Sequence, residues 1–376
     1  MLAMQHFNSS SLIAFRNHTT MLQDPEIKLA GNATTQRNPT SAGLNMTLGI
    51  LFNVIAFFIL VKAYNRYRRR SKATFLLFAS SLVATDLAGH VIPGALVMRR
   101  YSASFGSTSN LTSSFQGNPA NPDASCQFLG GCMVFFGLCP LFLGCAMAVE
   151  RCLGITKPLL HAQLVTTART KTALTMIWFM ALCIALLPTF QLGEYTYQYP
   201  GTWCFIRVVE DTKSTDLAFM ILFSGMALSS LAMAFVCNTI SGITLIITRL
   251  KKRGSERSST RSHDTEMVVQ LVGIMVTSCI CWSPLLVFGL ISATHSYMGI
   301  TFDNKTYSKL MVTGVRMATW NQILDPWVYI LLRRAVLRKI YRITKKQASM
   351  KGRTFSSIRL DVISLHNTEK NSVKKI

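Results

Sequence analysis

Arg316, in VRMATWNQILDPWVY (residues 315–329), is a permanently charged side chain inside an apolar run. A guanidinium binds a carboxylate through two parallel hydrogen bonds, so the chemistry it offers is anion capture. Other ionisable groups interrupt apolar runs in the same way: Asp86 in SLVATDLAGH, the adjacent Glu150 and Arg151 in MAVERC, and Asp325, nine residues after Arg316. Asn53 and Asn321 add neutral amides. His90 stands alone in its run, and neither HExxH nor GxSxG occurs. This set offers no nucleophile–base pair and no metal-ligand spacing. It therefore points away from an enzyme and implies no metal and no cofactor.

Placing such residues requires a membrane. Half of the 376 residues are hydrophobic and only 15% are charged, yet the net charge is +23. Soluble domains carry about 25% charged residues. A nucleic-acid binder would set its basic residues among polar ones; here they cluster between apolar runs, which excludes nucleic acid as a partner and favours lipid. A spanning helix needs about 20 apolar residues. Seven stretches qualify: 44–63, 73–98, 126–149, 173–192, 217–247, 267–293 and 309–332. The expected fold is an all-α bundle of seven transmembrane helices. Residues 1–43 form an N-terminal segment, 44–332 the membrane domain and 333–376 a tail. The tail opens with RRAVLRKIYRI, a basic amphipathic stretch suited to an eighth helix lying on the inner leaflet.

The first, third and fifth loops and the tail are the most basic, which puts them inside and the N-terminus outside. Asparagine-linked glycosylation sequons at Asn8, Asn17, Asn32, Asn45, Asn110 and Asn304 all fall on the outer side, Asn45 at the edge of span one. Eight of ten cysteines lie in or at the inner ends of apolar runs. Cys126 and Cys204 remain, both on the oxidising outer side, where a bridge between them is expected. Prolines 93, 140, 188, 284 and 326 lie in or near the ends of spans, where a missing backbone donor allows a kink. Pro284 in CWSP, two residues after Trp282, and Pro326 in DPWVY mark two hinges.

Asn53, the TD at Asp86, the ERC at Glu150 to Cys152, CWSP and DPWVY stand in order on spans one, two, three, six and seven. With the outer cysteine pair, that set resembles the rhodopsin-like G-protein-coupled receptors over residues 44–343. QYPGTWCF in the second outer loop, GHVIPGALV, GGCMVFFGLCP and RMATWNQILDPWVYILLR are similar to the prostanoid receptors. The transmembrane matches are most like the first-subtype receptors for E-type prostaglandins. The tail's VISLH is more like the F-type receptors, the runner-up. Span five lacks the proline common elsewhere in the rhodopsin-like family, as prostanoid receptors do.

The resemblance implies a prostanoid fatty-acid ligand, most closely prostaglandin E2, whose carboxylate meets Arg316 with help from Tyr101 and Thr202. Trp203 stands beside Thr202 in that loop motif, and Met133 and Trp282 line an apolar channel. It implies coupling to a heterotrimeric Gq-type G protein, a calcium response, and regulation by receptor kinases and arrestin. Glu150, Arg151, Asp86, Pro284, Asn321, Asp325 and Tyr329 would serve activation. The rival classes are an ion channel or a transporter; no internal repeat supports the latter.

Overall fold

The computed structural model describes residues 40–67, 73–106, 124–208, 212–251, 258–299 and 304–331. Seven long helices follow one another: α1 Thr40–Tyr67, α2 Ala73–Gly106, α3 Ala124–Thr156, α4 Thr167–Ala185, α5 Ser214–Lys251, α6 Ser258–Tyr297 and α7 Asn304–Leu331. They are the seven expected spans, and most overrun the apolar windows at both ends. Hydropathy marks the part in lipid, whereas helical hydrogen bonding continues into the aqueous phase. Five of the described helices are long and apolar enough to cross a membrane by length and composition alone. The other two are α4, of 19 residues, and α7, which carries lysines, amides, an arginine and an aspartate along its length.

Span four is shorter than its apolar run. The helix stops at Ala185, not at residue 192, and a 3-10 turn follows over Leu187–Phe190. Pro188 has no N–H to carry the α-helical ladder on, and Gln191 takes a left-handed backbone (φ 64°). A short helix, Pro158–Leu164, fills the second inner loop. The second outer loop folds into an antiparallel hairpin, β1 Tyr195–Gln198 and β2 Trp203–Ile206, with Tyr195 opposite Ile206 and Gln198 opposite Trp203. The basic stretch expected as an eighth helix lies outside the described residues.

The core lies between α3 and its neighbours, with Leu76, Leu82, Leu138, Leu143, Phe219, Phe223 and Leu286 buried. Phe58, Phe179, Val236 and Ile243 are exposed, facing outward as lipid-contacting residues do. Between helices, polar knots replace the hydrophobic effect, which has little to give once both surroundings are apolar. Asn53 donates to the carbonyl of Gly49 on its own helix and to that of Gln322 on α7, at 3.0 and 3.1 Å. Gln322 in turn donates to the Phe136 carbonyl on α3 at 2.7 Å. One chain of side chains thus ties α1, α7 and α3 together.

Replacing Asn53 by alanine removes the α1 end of that chain and leaves the Gln322 carbonyl without its tertiary donor. The expected cost is about 0.5–2 kcal/mol, in the range of interhelical hydrogen bonds in membranes. A lowered thermal midpoint of detergent-solubilised protein checks it; an unchanged midpoint contradicts the knot.

Candidate functional site

The outer ends of the helices part around a cavity of about 200 Å³. Its wall includes Asn45 and Met46 from α1, His90 and Tyr101 from α2, and Met133 and Phe136 from α3. Trp282 and Leu285 come from α6, and Arg316, Thr319 and Gln322 from α7. Tyr199, Pro200, Thr202 and Trp203 of the hairpin close the outer end. All six residues assigned to ligand contact from the sequence, Arg316, Tyr101, Thr202, Trp203, Met133 and Trp282, line this one space. Tyr199, Gln322, His90 and Phe136 line it too, though sequence reasoning gave them no such place. All four lay within the quoted stretches, QYPGTWCF, GHVIPGALV, GGCMVFFGLCP and RMATWNQILDPWVYILLR, but only the bundle's geometry shows that they turn toward the cavity.

Arg316 is exposed and opens onto this space. Among the described residues it has no hydrogen-bond or ion-pair partner. Tyr101 and Thr202 are buried side chains on the same wall, and neither makes a hydrogen bond among the described residues. One fixed cation and two hydroxyls therefore line the same space with bonding capacity to spare. Deeper, Trp282 is buried, and Gly137 of α3 lies against its ring: a Cβ there would lie 3.4 Å from it.

The hairpin is held by several contacts. Cys126 and Cys204 form the expected disulfide, with their Cα atoms 5.5 Å apart. Arg207 pairs with Glu194 at 2.8 Å. Tyr195 is buried on α3 and donates its phenol to the Ala185 carbonyl at 2.9 Å. Burial raises the Tyr195 pKa above its ordinary value, so the phenol keeps the proton it donates. On α6, Ser292 donates to the Val208 carbonyl just after β2. Arg100 lies over the Tyr197 ring, 4.7 Å from its centroid.

The inner half carries the remaining polar residues. Asn321 donates to Asp325 at 3.0 Å. Neither oxygen of Asp86 has a hydrogen-bond partner among the described residues. Asn53 does not join these groups; it bonds backbone carbonyls instead. Glu150 and Arg151 lie within α3, which runs on to Thr156. Glu150 accepts from Thr74 at 3.1 Å and faces His161 of the loop helix at 3.2 Å. Arg151 lies over the Phe75 ring at 4.3 Å. Pro93, Pro140, Pro284 and Pro326 all sit inside helices. Tyr329 is in the last turn of α7.

Asn8, Asn17, Asn32 and Asn110 lie outside the described residues, and Asn304 is the first residue of α7. Asn45 differs from its expected place at the rim: it stands within α1 and lines the cavity.

The chain matches the 7 transmembrane receptor (rhodopsin family) over residues 53–329. It is 44% identical to the prostaglandin E2 receptor EP1 subtype of Rattus norvegicus over 368 residues, covering 86% of this chain and 85% of the relative. Against the same receptor of Homo sapiens the identity is 43% over 386 residues, covering 87% and 91%. The prostaglandin F2-alpha receptor of Bos taurus is 42% identical over 359 residues, covering 93% and 91%. Both kinds of relative are thus similar to nearly the same degree.

Two neighbouring glycines test the hairpin's seat on α3. A Cβ at Gly130 would lie 2.4 Å from the Tyr195 ring, whereas one at Gly131 meets nothing closer than 3.7 Å. Gly130→Ala is expected to destabilise by about 1–3 kcal/mol through overpacking. Gly131→Ala should stay within about 0.5 kcal/mol of the parent. Thermal midpoints of the purified pair check the difference, and equal behaviour contradicts the seat.

Proposed function

The chain belongs to the prostanoid-receptor branch of the rhodopsin-family seven-transmembrane receptors, and on that premise we propose that it is a receptor for prostaglandin E2. As a member of that family it is a multi-pass membrane receptor and not an enzyme. In this reading the N-terminus is extracellular and carries glycans, and the tail from residue 333 is cytoplasmic and open to receptor kinases and arrestin.

The observation that carries the reading is Arg316: a guanidinium opening onto the outer cavity without a protein counter-charge. A ligand carboxylate supplies that counter-charge through two parallel N–H···O bonds. Tyr101 and Thr202 donate their hydroxyl protons to the carboxylate oxygens left over. The acyl chains run inward along Met133 and over Trp282, and Trp203 closes the outer end. Leaving water is offset by apolar burial of the chains, about 0.8 kcal/mol per CH₂.

Signalling follows from a difference in affinity between two states of the bundle. Ligand against Trp282 favours a state in which α6 pivots near Pro284, where the helical ladder lacks a donor. Rearrangement of Asp86, Asn321, Asp325 and Tyr329 in the inner half accompanies it. Arg151, released from its place over Phe75, and the basic inner loops then meet a Gq-type G protein, which raises calcium. A second reading, a prostaglandin F2-alpha receptor, is favoured by the similar identity to that receptor and by the tail's VISLH.

The test is a calcium assay in cells expressing the chain, run with a panel of prostaglandins and their methyl esters. Prostaglandin E2 should lead the ranking, and a lead by the F compound selects the second reading. Arg316→Ala should cost the free acid about 2–5 kcal/mol, roughly 30-fold or more in potency, the penalty for removing one partner of a charge pair. The methyl ester should lose much less. An alanine variant that responds to the acid with undiminished potency overturns the assignment, as does silence toward every prostanoid.

A further inference from the structure

Arg316 sits between two points at which α7 is fixed. The inner one is Gln322, whose amide donates to the Phe136 carbonyl of α3 and whose carbonyl accepts from Asn53 of α1. The outer one is Gly314, buried where α7 meets α6. A Cβ on Gly314 would lie 2.8 Å from the Cα and 2.9 Å from the backbone nitrogen of Leu285. These are backbone atoms, so no side-chain rotation makes room. Carbon atoms in contact rest about 3.5–4.0 Å apart, so a methyl group here has to push α7 off α6 by about 1 Å. Gly289, one turn further out on α6, differs. A Cβ there meets the terminal methyl groups of Met220 and, at 3.7 Å, of Met311, flexible ends that can swing aside.

Such a shift bears on Arg316 in particular. Residues follow one another at about 100° around a helix, so Arg316 leaves α7 about 200° from Gly314, on the side facing away from Leu285. Moving α7 off α6 carries Arg316 with it, whereas Tyr101 on α2 and Thr202 on the hairpin stay where they are. Gln322, about 12 Å further in than Gly314, holds the floor, so the helix tilts and its outer part moves most. Two parallel N–H···O bonds to one carboxylate fix both the distance and the plane of the guanidinium. The three groups converge on one carboxylate only while α7 keeps its seat on Leu285.

We propose that Gly314 is a positioning residue of the acid subsite: by letting α7 seat directly on the Leu285 backbone, it sets the place of Arg316 relative to Tyr101 and Thr202. The inference rests on the reading of Arg316 as the partner of a ligand carboxylate. It gives a part in acid recognition to a residue outside the cavity wall.

The experiment uses the full-length receptor in cell membranes. Tritiated prostaglandin E2 methyl ester, which needs no salt bridge, is displaced by the unlabelled ester and by the free acid. Gly314→Ala should lose about tenfold in affinity for the acid, the worth of one charge-assisted hydrogen bond, and less than about threefold for the ester. Gly289→Ala, the control on the same helix, should leave both affinities within about twofold of the parent. Added to Arg316→Ala, Gly314→Ala should cost the acid no more than it costs the ester, the non-additivity of residues that act through one another. Equal losses for acid and ester on the parent background overturn the proposal, since general disruption does not distinguish them. No loss for either also overturns it, as does an acid-selective loss that persists without Arg316. If Gly314→Ala does not reach the cell surface, Asn53→Ala frees the inner fixed point without adding volume. It should cost the acid about threefold more than the ester, and equal effects there overturn the proposal. A wild type that binds neither ligand defeats the prostanoid reading itself. An Arg316→Ala variant that keeps the parent's preference for the acid defeats the assignment of Arg316. An acid-selective Arg316 with an indifferent Gly314 defeats only this inference.

Discussion

The outer half of the bundle is organised around a positive charge that the polypeptide leaves uncompensated. Arg316 faces a cavity in which the described residues supply hydroxyls, amides and apolar surface but no carboxylate partner. A guanidinium sealed in apolar surroundings would cost several kcal/mol. Keeping it hydrated in an open cleft avoids that cost and leaves the charge available. Among the described residues, two outer acids are committed elsewhere: Glu194 pairs with Arg207, and Asp216 accepts the Lys213 backbone N–H at the start of α5. The hairpin is pinned by its disulfide, by the buried Tyr195 and by the Glu194–Arg207 pair, so the roof of the cavity is rigid before any ligand arrives. A preformed site loses less conformational entropy on binding than one that must be assembled.

Below the cavity, the polar side chains differ in how fully they are satisfied. Asn53 and Gln322 make bonds to backbone carbonyls, which cannot leave their helices, and so act as fixed ties. Asp86 and Asp325 are buried; Asp325 accepts from Asn321, and Asp86 has no hydrogen-bond donor among the described residues. Unsatisfied buried carboxylates favour alternatives that satisfy them. In a protein read as a two-state receptor, this places the structural ties near the cavity floor and the convertible groups deeper, toward the G-protein side.

Much of this was legible in the sequence for physical reasons. Seven spans follow from apolar length, and the Cys126–Cys204 bridge from oxidising exposure of two outer cysteines among eight inner ones. The six ligand-contact residues, taken from motif resemblance, converge on one cavity. What was not legible depends on three-dimensional register. Arg316 was legible as a charge inside an apolar run, but that it opens onto a cavity among the helix ends is not written in the local pattern. Span four was read seven residues too long, because Leu186, Leu187 and Phe190 continue the apolar run after the helix has ended. The sequon at Asn45 is a three-residue signal, while its place lining the cavity from α1 is set by how the helices meet. His161 carried no signal as the partner of Glu150, since that contact depends on the loop helix folding back beneath α3.

The same residues that floor the cavity are those that tie the helices together, and this links site to scaffold. Gln322 lines the cavity while its amide holds the Phe136 carbonyl of α3 and its carbonyl holds Asn53 of α1. Trp282 lines the cavity from α6 and packs against Gly137, the residue after Phe136. A ligand resting on this floor therefore touches α1, α3, α6 and α7 through neighbouring contacts and needs no long relay to reach them. A Cβ at Gly137 would meet the Trp282 ring at 3.4 Å, an ordinary van der Waals distance, so the ring lies close against α3. A ring seated against backbone can shift only as the whole helix shifts, so a displacement of Trp282 is passed on to α6 as a rigid body. Pro284, two residues further along the same helix, is where that body can most easily bend.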